Sequence, residues 1–557
     1  MTGPPSAPST ERQPLATLPQ PRLRGMTLEQ LGYVLVFAVA LTLRLVALPE
    51  KPLHHDESVH AWFTWRLVTG RGYEYDPIYH GPVQYYLDAL GYFAAGVGRT
   101  GVRLFPAIAG AVLTVLPYAL RNQLGRTAAL SAAVMFCISP SFVYFSRFAR
   151  EDSYTVLLTF AIVVVAFRFL DRPRRWQPAA MLALLAASLA TKETTYITGF
   201  VWFTFLVVVL LVQWRRPAAI GPSVVAAVTS VGRKAWLWAG AAFAAVYTLL
   251  FTTFLTNPVG LRTALVDSWG YWLSQQPVNR GGQPWFYYLV MLPLYELPVL
   301  VLAVVGVVAA VCRPTLLRLY LVWSAALGLA IFSWASERMP WLVVHILLPI
   351  VLLAGIGMQT LWAGRRAARA CAVAIAAAGA AFLGWGMVHV AYVHPADPGE
   401  MLVFTQTSTA SDDVLATILR AEPASVQLDS ADGTAWPWAF TLRDVPVEYV
   451  DMSGGFTPDA DLVVVGDENL PVVPVPGYTG TRFPLRVWWV VDWAGVTPEN
   501  VLHWFVTREP WSPRGSLDEW LFVRSLRRAP GQAPSSRRRS CSRSAFCRAS
   551  WSRIRRG

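Results

Sequence analysis

Eleven stretches of roughly 20 mainly apolar residues recur within the first 393 positions, and a run of that length is what an α-helix needs to cross the hydrocarbon core of a bilayer. They fall at about 31–49, 103–120, 128–145, 153–170, 177–190, 195–213, 235–256, 286–311, 318–334, 341–362 and 370–392. The segment 84–97 is apolar but short, and reads as a helix lying in the interface. Counting it as a span would invert everything after it. Only 15% of the residues are charged, against roughly 25% in soluble proteins, which argues against a soluble enzyme.

Basic residues set the expected orientation, because cytoplasmic loops carry the excess of Lys and Arg. On one side the loops hold Arg12, Arg22, Arg24, Arg121, Arg126, Arg172, Arg174, Arg175, Arg215, Arg216, Arg233, Lys234, Arg313, Arg318, Arg365, Arg366 and Arg369. The acids among them are Glu11, Glu29 and Asp171. This predicts a multi-pass plasma-membrane protein with a cytoplasmic N-terminus. The net charge of +13 does not signal a nucleic-acid partner, since eleven arginines lie in the last 34 residues and leave the body nearly neutral. The five cysteines form neither a disulfide framework nor a zinc spacing.

Four units are expected. Residues 1–30 are Pro-rich and read as a disordered cytoplasmic lead-in, residues 31–393 form the membrane helix bundle, and residues 524–557 form a basic, disordered tail. Between them, 394–523 read as an extracytoplasmic α/β domain. Its predicted strands lie near 401–406, 425–428, 445–450, 461–465 and 485–491, with a helix over 411–419 capped by Ser411. The fold class is thus mainly α, a polytopic bundle with a small α/β domain.

Mixed-sign clusters collect on the other, outer side. The first is His54-His55-Asp56-Glu57, followed by His60 on a short amphipathic helix. A carboxylate there can act as general base on an acceptor hydroxyl; Asp56 and Glu57 could equally cap the helix. No His-Glu-x-x-His spacing is present, and a divalent cation held by His54, His55, Asp56, Glu57 or His60 stays open. Tyr79-His80-Gly81-Pro82 is read as shaping the following loop, with His80 in support. The second cluster, Arg147 to Asp152, offers Arg147 and Arg150 to a phosphate, with Glu151 and Asp152 as neutralising or orienting acids. Lys192-Glu193 and Glu337-Arg338 are a third and fourth. Within the spans Glu296, His345 and His389 are the ionisable exceptions. Trp436-Pro437-Trp438 could stack on a glycan or lie in a core.

These features, taken in order, resemble the GT-C superfamily: Asp56-Glu57, Gly81 to Tyr86, Arg103 to Pro106, Leu124 to Arg126, and Ser139-Pro140 through Ser146-Arg147 to Asp152. Within it the chain resembles the protein O-mannosyltransferase and aminoarabinose transferase group. His54 to Glu57, Phe145 to Asp152, Thr191 to Glu193, Glu337 to Trp341 and Tyr392 to Asp397 are similar to a narrower archaeal and bacterial family, the flippase-activity-associated proteins of N-glycosylation. The resemblance covers about residues 30–450. It implies a polyprenyl-phosphate-linked sugar donor, an inverting transfer on the outer face, Asp56 as base, and Asp152 as the second acid, with Glu57 beside them. Arg147, Arg150, Glu151, Lys192, Glu193, Glu296, Glu337 and Arg338 are the expected donor-site residues. No cofactor is assigned, a divalent cation stays open, and the acceptor is unassigned. A lipid-linked oligosaccharide flippase, or an accessory to one, is the alternative, and its path would need Glu296.

Overall fold

The computed structural model describes residues 22–23, 26–216, 220–275, 277–278 and 281–525. The expected tail beyond 525 and most of the expected lead-in lie outside the described residues. Regular structure begins earlier than expected, because Thr27 and Gln30 form a reciprocal capping box that starts the first helix at Leu28.

In chain order the helices that matter here are α1 (Leu28–Leu45), α2 (His55–Val68), α3 (Val83–Ala95), α4 (Arg99–Leu124), α5 (Arg126–Ile138), α6 (Pro140–Ser146) and α7 (Asp152–Asp171). They continue with α8 (Gln177–Leu189), α9 (Thr194–Arg215), α10 (Arg233–Phe251), α11 (Tyr287–Cys312), α12 (Leu316–Trp334), α13 (Pro340–Trp362) and α14 (Arg366–Val393). Among the described residues nine of these are long and apolar enough to span a membrane, and the pair α5–α6, bent by 57°, makes a tenth. The bend falls at Ser139-Pro140. Ser139 caps α6 by accepting from the Phe142 N–H, and Pro140 supplies a first residue that needs no donor. Glu296, at an interruption inside α11, holds the bend by accepting from Ser139 Oγ at 2.6 Å and the Ser141 N–H at 3.1 Å.

The remaining expected span, 177–190, is α8, which has only 13 residues, about 20 Å of helix. It runs back alongside α7. The chain leaves the Asp152 end along α7, and Lys192, just beyond α8, returns to bond Asp152. The interfacial reading of 84–97 corresponds to α3, which packs on α2 and α4.

The core runs along α11 and α13. Gly306 and Gly357 let these helices touch, since a Cβ on either would sit about 2 Å from a carbonyl oxygen of the other helix, Leu353 O at 1.9 Å and Leu302 O at 2.0 Å. Arg44 is an ionisable span residue that apolar counting passes over. It is fully buried and donates to Ala40 O and Phe136 O.

The C-terminal unit is a six-stranded mixed sheet of β1 (Gln406–Thr407), β2 (Val426–Asp429), β3 (Val447–Val450), β4 (Leu462–Gly466), β5 (Tyr478–Trp489) and β6 (Arg514–Arg524), in the order β1-β5-β6-β4-β2-β3. Only β2–β3 and β2–β4 are parallel. Two expectations are corrected and two elements are new. Met401, Leu402 and Val403 form no strand; their apolar side chains plug into the membrane-helix core. Ser411 lies in the first turn of its helix (Ala410–Ala421), where its hydroxyl donates to Ser408 O. β6 and the helix Pro498–Thr507 were not anticipated.

Candidate active site

The first loop, 46–54, is pinned from α4. Arg103 is fully buried and donates to Leu48 O, Lys51 O and Pro52 O, and grips Glu57 with two nitrogens at 2.7 and 2.6 Å. Glu57 also accepts from the His54 N–H at 2.9 Å and the Ala149 N–H at 2.8 Å, so its carboxylate is saturated. Burial alone would raise the Glu57 pKa; Arg103 and then Lys51 overturn that and hold it at about 2. His54 caps α2 through Nδ1, which accepts from the Asp56 N–H, so Nε2–H donates to Phe404 O at 2.9 Å. Burial keeps this ring neutral, as the cap requires.

Asp56 is different. Its side chain is about one quarter exposed, and it faces a cavity of about 320 Å³ lined also by His55, His60, His80, Arg150, Glu337 and Trp341. Its ion-pair partner is Arg150, whose guanidinium lies 4.1 Å from the centre of the Trp341 ring and also approaches Asp152 at 3.5 Å and Glu151 at 4.0 Å. Arg150 therefore sits at the centre of three acids. Glu151 is fully buried, 3.0 Å from His60 Nε2. Burial would raise its pKa, and His60 and His80 hold it well below the usual range. Asp152 accepts from Lys192 Nζ at 2.7 and 2.8 Å and from His345 at 2.9 Å.

A second cavity, of about 230 Å³, adjoins the first through His80 and Glu337, which line both. Lys192, Glu193, Tyr196, Trp269, Trp272 and Phe332 line the rest. His80 bonds Glu193 at 2.8 Å and stacks on Trp272. Burial disfavours its charge, but Glu151 and Glu193 outweigh that and raise its pKa to about 9. The neighbouring Gly81 is required by contact: a Cβ there would lie 2.2 Å from Ala190 O, and this approach seats His80 beside Lys192-Glu193. Glu337 has no hydrogen-bond or ion-pair partner among the described residues and faces both cavities.

The structure thus gathers Asp56, His55, His60, His80, Arg150, Glu151, Asp152, Lys192, Glu193 and Glu337. It removes four expected residues from the cavity. Glu57 is consumed by Arg103 and backbone donors. Arg147 donates to Leu43 O, Arg44 O, Val46 O and Ala47 O, capping the end of α1. Arg338 likewise donates to Gln283 O, Ser333 O and Ala335 O at the end of α12. Glu296 holds the α5–α6 bend. Of the five residues considered for a divalent cation, His54, Glu57 and His60 are engaged elsewhere, and no group of three or more His, Cys, Asp or Glu among the described residues has the arrangement of a metal site. Trp438 is a core residue, buried and donating to Glu519. Arg103, Trp341, His345 and Trp272 were not singled out beforehand as site residues. An Arg or His inside an apolar span is the signal that could have found Arg103 and His345.

The structure is thus a helix bundle with its charged groups gathered at one end and a small sheet domain packed against it. Residues 79–232 match the family described as dolichyl-phosphate-mannose-protein mannosyltransferase, a segment that takes in His80, Arg150, Asp152 and Lys192 and leaves Asp56 outside. The fold is shared with ArnT from Cupriavidus metallidurans, solved bound to undecaprenyl phosphate, with a TM-score of 0.56 and 15% identity over 82% of this chain and 96% of that one. It is also shared with the oligosaccharyltransferase of Archaeoglobus fulgidus, with a TM-score of 0.51 and 12% identity, over 74% of this chain but only 60% of that longer one. An uncharacterized protein of Aquifex aeolicus is 30% identical over 122 residues, about a quarter of its length. The chain is a multi-helix membrane protein whose fold is shared with ArnT and with this oligosaccharyltransferase.

Proposed function

We propose that the protein is an inverting glycosyltransferase that moves a sugar from a polyprenyl-phosphate-linked donor to an acceptor on the outer face of the membrane. One observation carries the reading: of the two acids in the first turn of α2, Asp56 alone presents a carboxylate to the cavity, while Glu57 is spent on holding the first loop. Asp56 accepts the acceptor's proton as its oxygen attacks the anomeric carbon from one face. The bond to the lipid phosphate breaks on the opposite face, and polyprenyl phosphate leaves. Arg150 and protonated His80 stabilise the charge that builds on the leaving phosphate. The aromatic wall of the second cavity, Tyr196, Trp269 and Trp272, suits the lipid end of the donor. ArnT, solved with undecaprenyl phosphate, supports a lipid carrier of this class.

Flipping is less well supported, because Glu296, the deep acid such a path needs, is sealed at the α5–α6 bend. The test is Asp56→Asn in reconstituted protein supplied with a polyprenyl-phosphate sugar. Transfer should fall by at least about 100-fold, in the range of a lost general base, with membrane insertion unchanged. Turnover equal to wild type would refute the assignment.

A further inference from the structure

At the end of the bundle remote from Asp56 lies a cavity of about 550 Å³ between the end of α4, the last turns of α7 and the start of α8. Its origin is the short α8. α7 and α8 are pinned together at the site end by Asp152 and Lys192, so the roughly 10 Å by which α8 is shorter falls at the far end. The chain between them, Arg172 to Trp176, folds around the recess that this leaves.

The lining is cationic. Arg121, Arg168, Arg172 and Arg174 face one acid, Asp171, and that acid already accepts from Gln123. Arg121 is engaged, stacked on Tyr118 and 3.6 Å from Glu29. The side chains of Arg168, Arg172 and Arg174 are exposed and have no hydrogen-bond or ion-pair partner among the described residues. Beside them the wall is apolar, with Ala119, Val164 and Val165, and Trp176 stands 56% exposed at the rim. The preference for bases at cytoplasmic loops explains arginines at this end. It does not explain three unpaired guanidiniums around one recess with an apolar wall, while Arg175 stays outside the lining.

We propose that this recess binds the phosphate headgroup of an anionic membrane lipid. The three free arginines take the phosphate oxygens, and the lipid chains lie along Val164 and Val165 with Trp176 at the headgroup level. The inference is independent of the transfer reading, since none of the residues proposed to hold the lipid belongs to the Asp56 site.

The test uses the full chain purified in neutral detergent, titrated with phosphatidylglycerol, phosphatidylcholine or inorganic phosphate, and read by native mass spectrometry of retained lipid and by thermal unfolding. Wild type should retain phosphatidylglycerol over phosphatidylcholine. The triple variant Arg168→Gln/Arg172→Gln/Arg174→Gln should lose roughly 100-fold in apparent affinity, three bases at about 1 kcal/mol each. Arg365→Gln/Arg366→Gln/Arg369→Gln, three bases outside the recess, should bind as wild type. If the recess variant folds poorly, the single Arg172→Gln should still lose about fivefold. Equal lipid retention by the two triple variants overturns the proposal. So does stabilisation by inorganic phosphate as large as that by the lipid, which would make this a site for a free anion.

Discussion

Replacing Glu57 by Gln separates structure from chemistry at the start of α2. The substitution keeps the shape and removes the charge that faces Arg103, with both groups fully buried. Breaking a buried pair by removing one partner costs about 3–5 kcal/mol. The pH linkage gives a second route to the same figure: a carboxyl held at about 2 rather than 4.5 contributes about 3 kcal/mol at neutral pH. Because the folded value is the lower one, that contribution is complete above about pH 4.5 and is lost as pH falls through about 2. Glu57→Gln should therefore lose about 3 kcal/mol in urea unfolding followed by tryptophan fluorescence of detergent-solubilised protein. It should also lose most of the wild type's sensitivity to acid in that window. Asp56→Asn, with its side chain about one quarter exposed and paired to one Arg, should lose less than about 1 kcal/mol while losing transfer. The double variant Glu57→Gln/Arg103→Met should be less destabilised than the sum of its single changes. A Glu57→Gln protein that unfolds with wild type yet fails to turn over would refute this division and make Glu57 a chemical group.

Two further outcomes follow from the same geometry. His80, raised to about 9, contributes stability that is complete below about pH 6.5 and is lost as pH rises through about 9; in His80→Gln the alkaline limb of the unfolding profile should flatten, and a limb that persists would show another group is responsible. Arg147→Gln should cost about 2 kcal/mol, the scale of bonds from a charged donor, and leave turnover per folded molecule unchanged; a large fall in transfer by correctly folded protein would put Arg147 back in the donor site.

The spans were legible because lipid imposes one simple requirement, length in apolar residues, but the bend between α5 and α6 was not, since 128–145 reads as one run. α8 was legible as apolar, but its shortness is made good only by the contact of Lys192 with Asp152. Asp56, Arg150, Asp152 and Lys192 could be read as one face because the loops alternate. Their division of labour could not. Arg147 and Arg150 are the same residue three positions apart, and only packing shows that one caps α1 and the other meets Asp56. Glu57 and Asp56 differ for the same reason: the deciding partner, Arg103, is 46 residues away. Met401 to Val403 show the limit of periodicity, since a short apolar run reads equally as a strand or as a plug. β6 was missed because its alternation is diluted by charged residues along Arg514–Arg524.

The plug at Met401 to Val403 also bears on how the molecule comes apart. These residues, with Trp489 and Trp504 of the sheet domain, share one continuous apolar core with α11 and α13. Glu400 next to them is buried against Tyr295 of α11 and Arg508. A fragment cut at residue 394 would carry that apolar surface into water, and the remaining bundle would open a hole above α11. The change in composition near residue 394 is therefore not a cleavage plane, and the sheet and the helices should unfold together in a single transition.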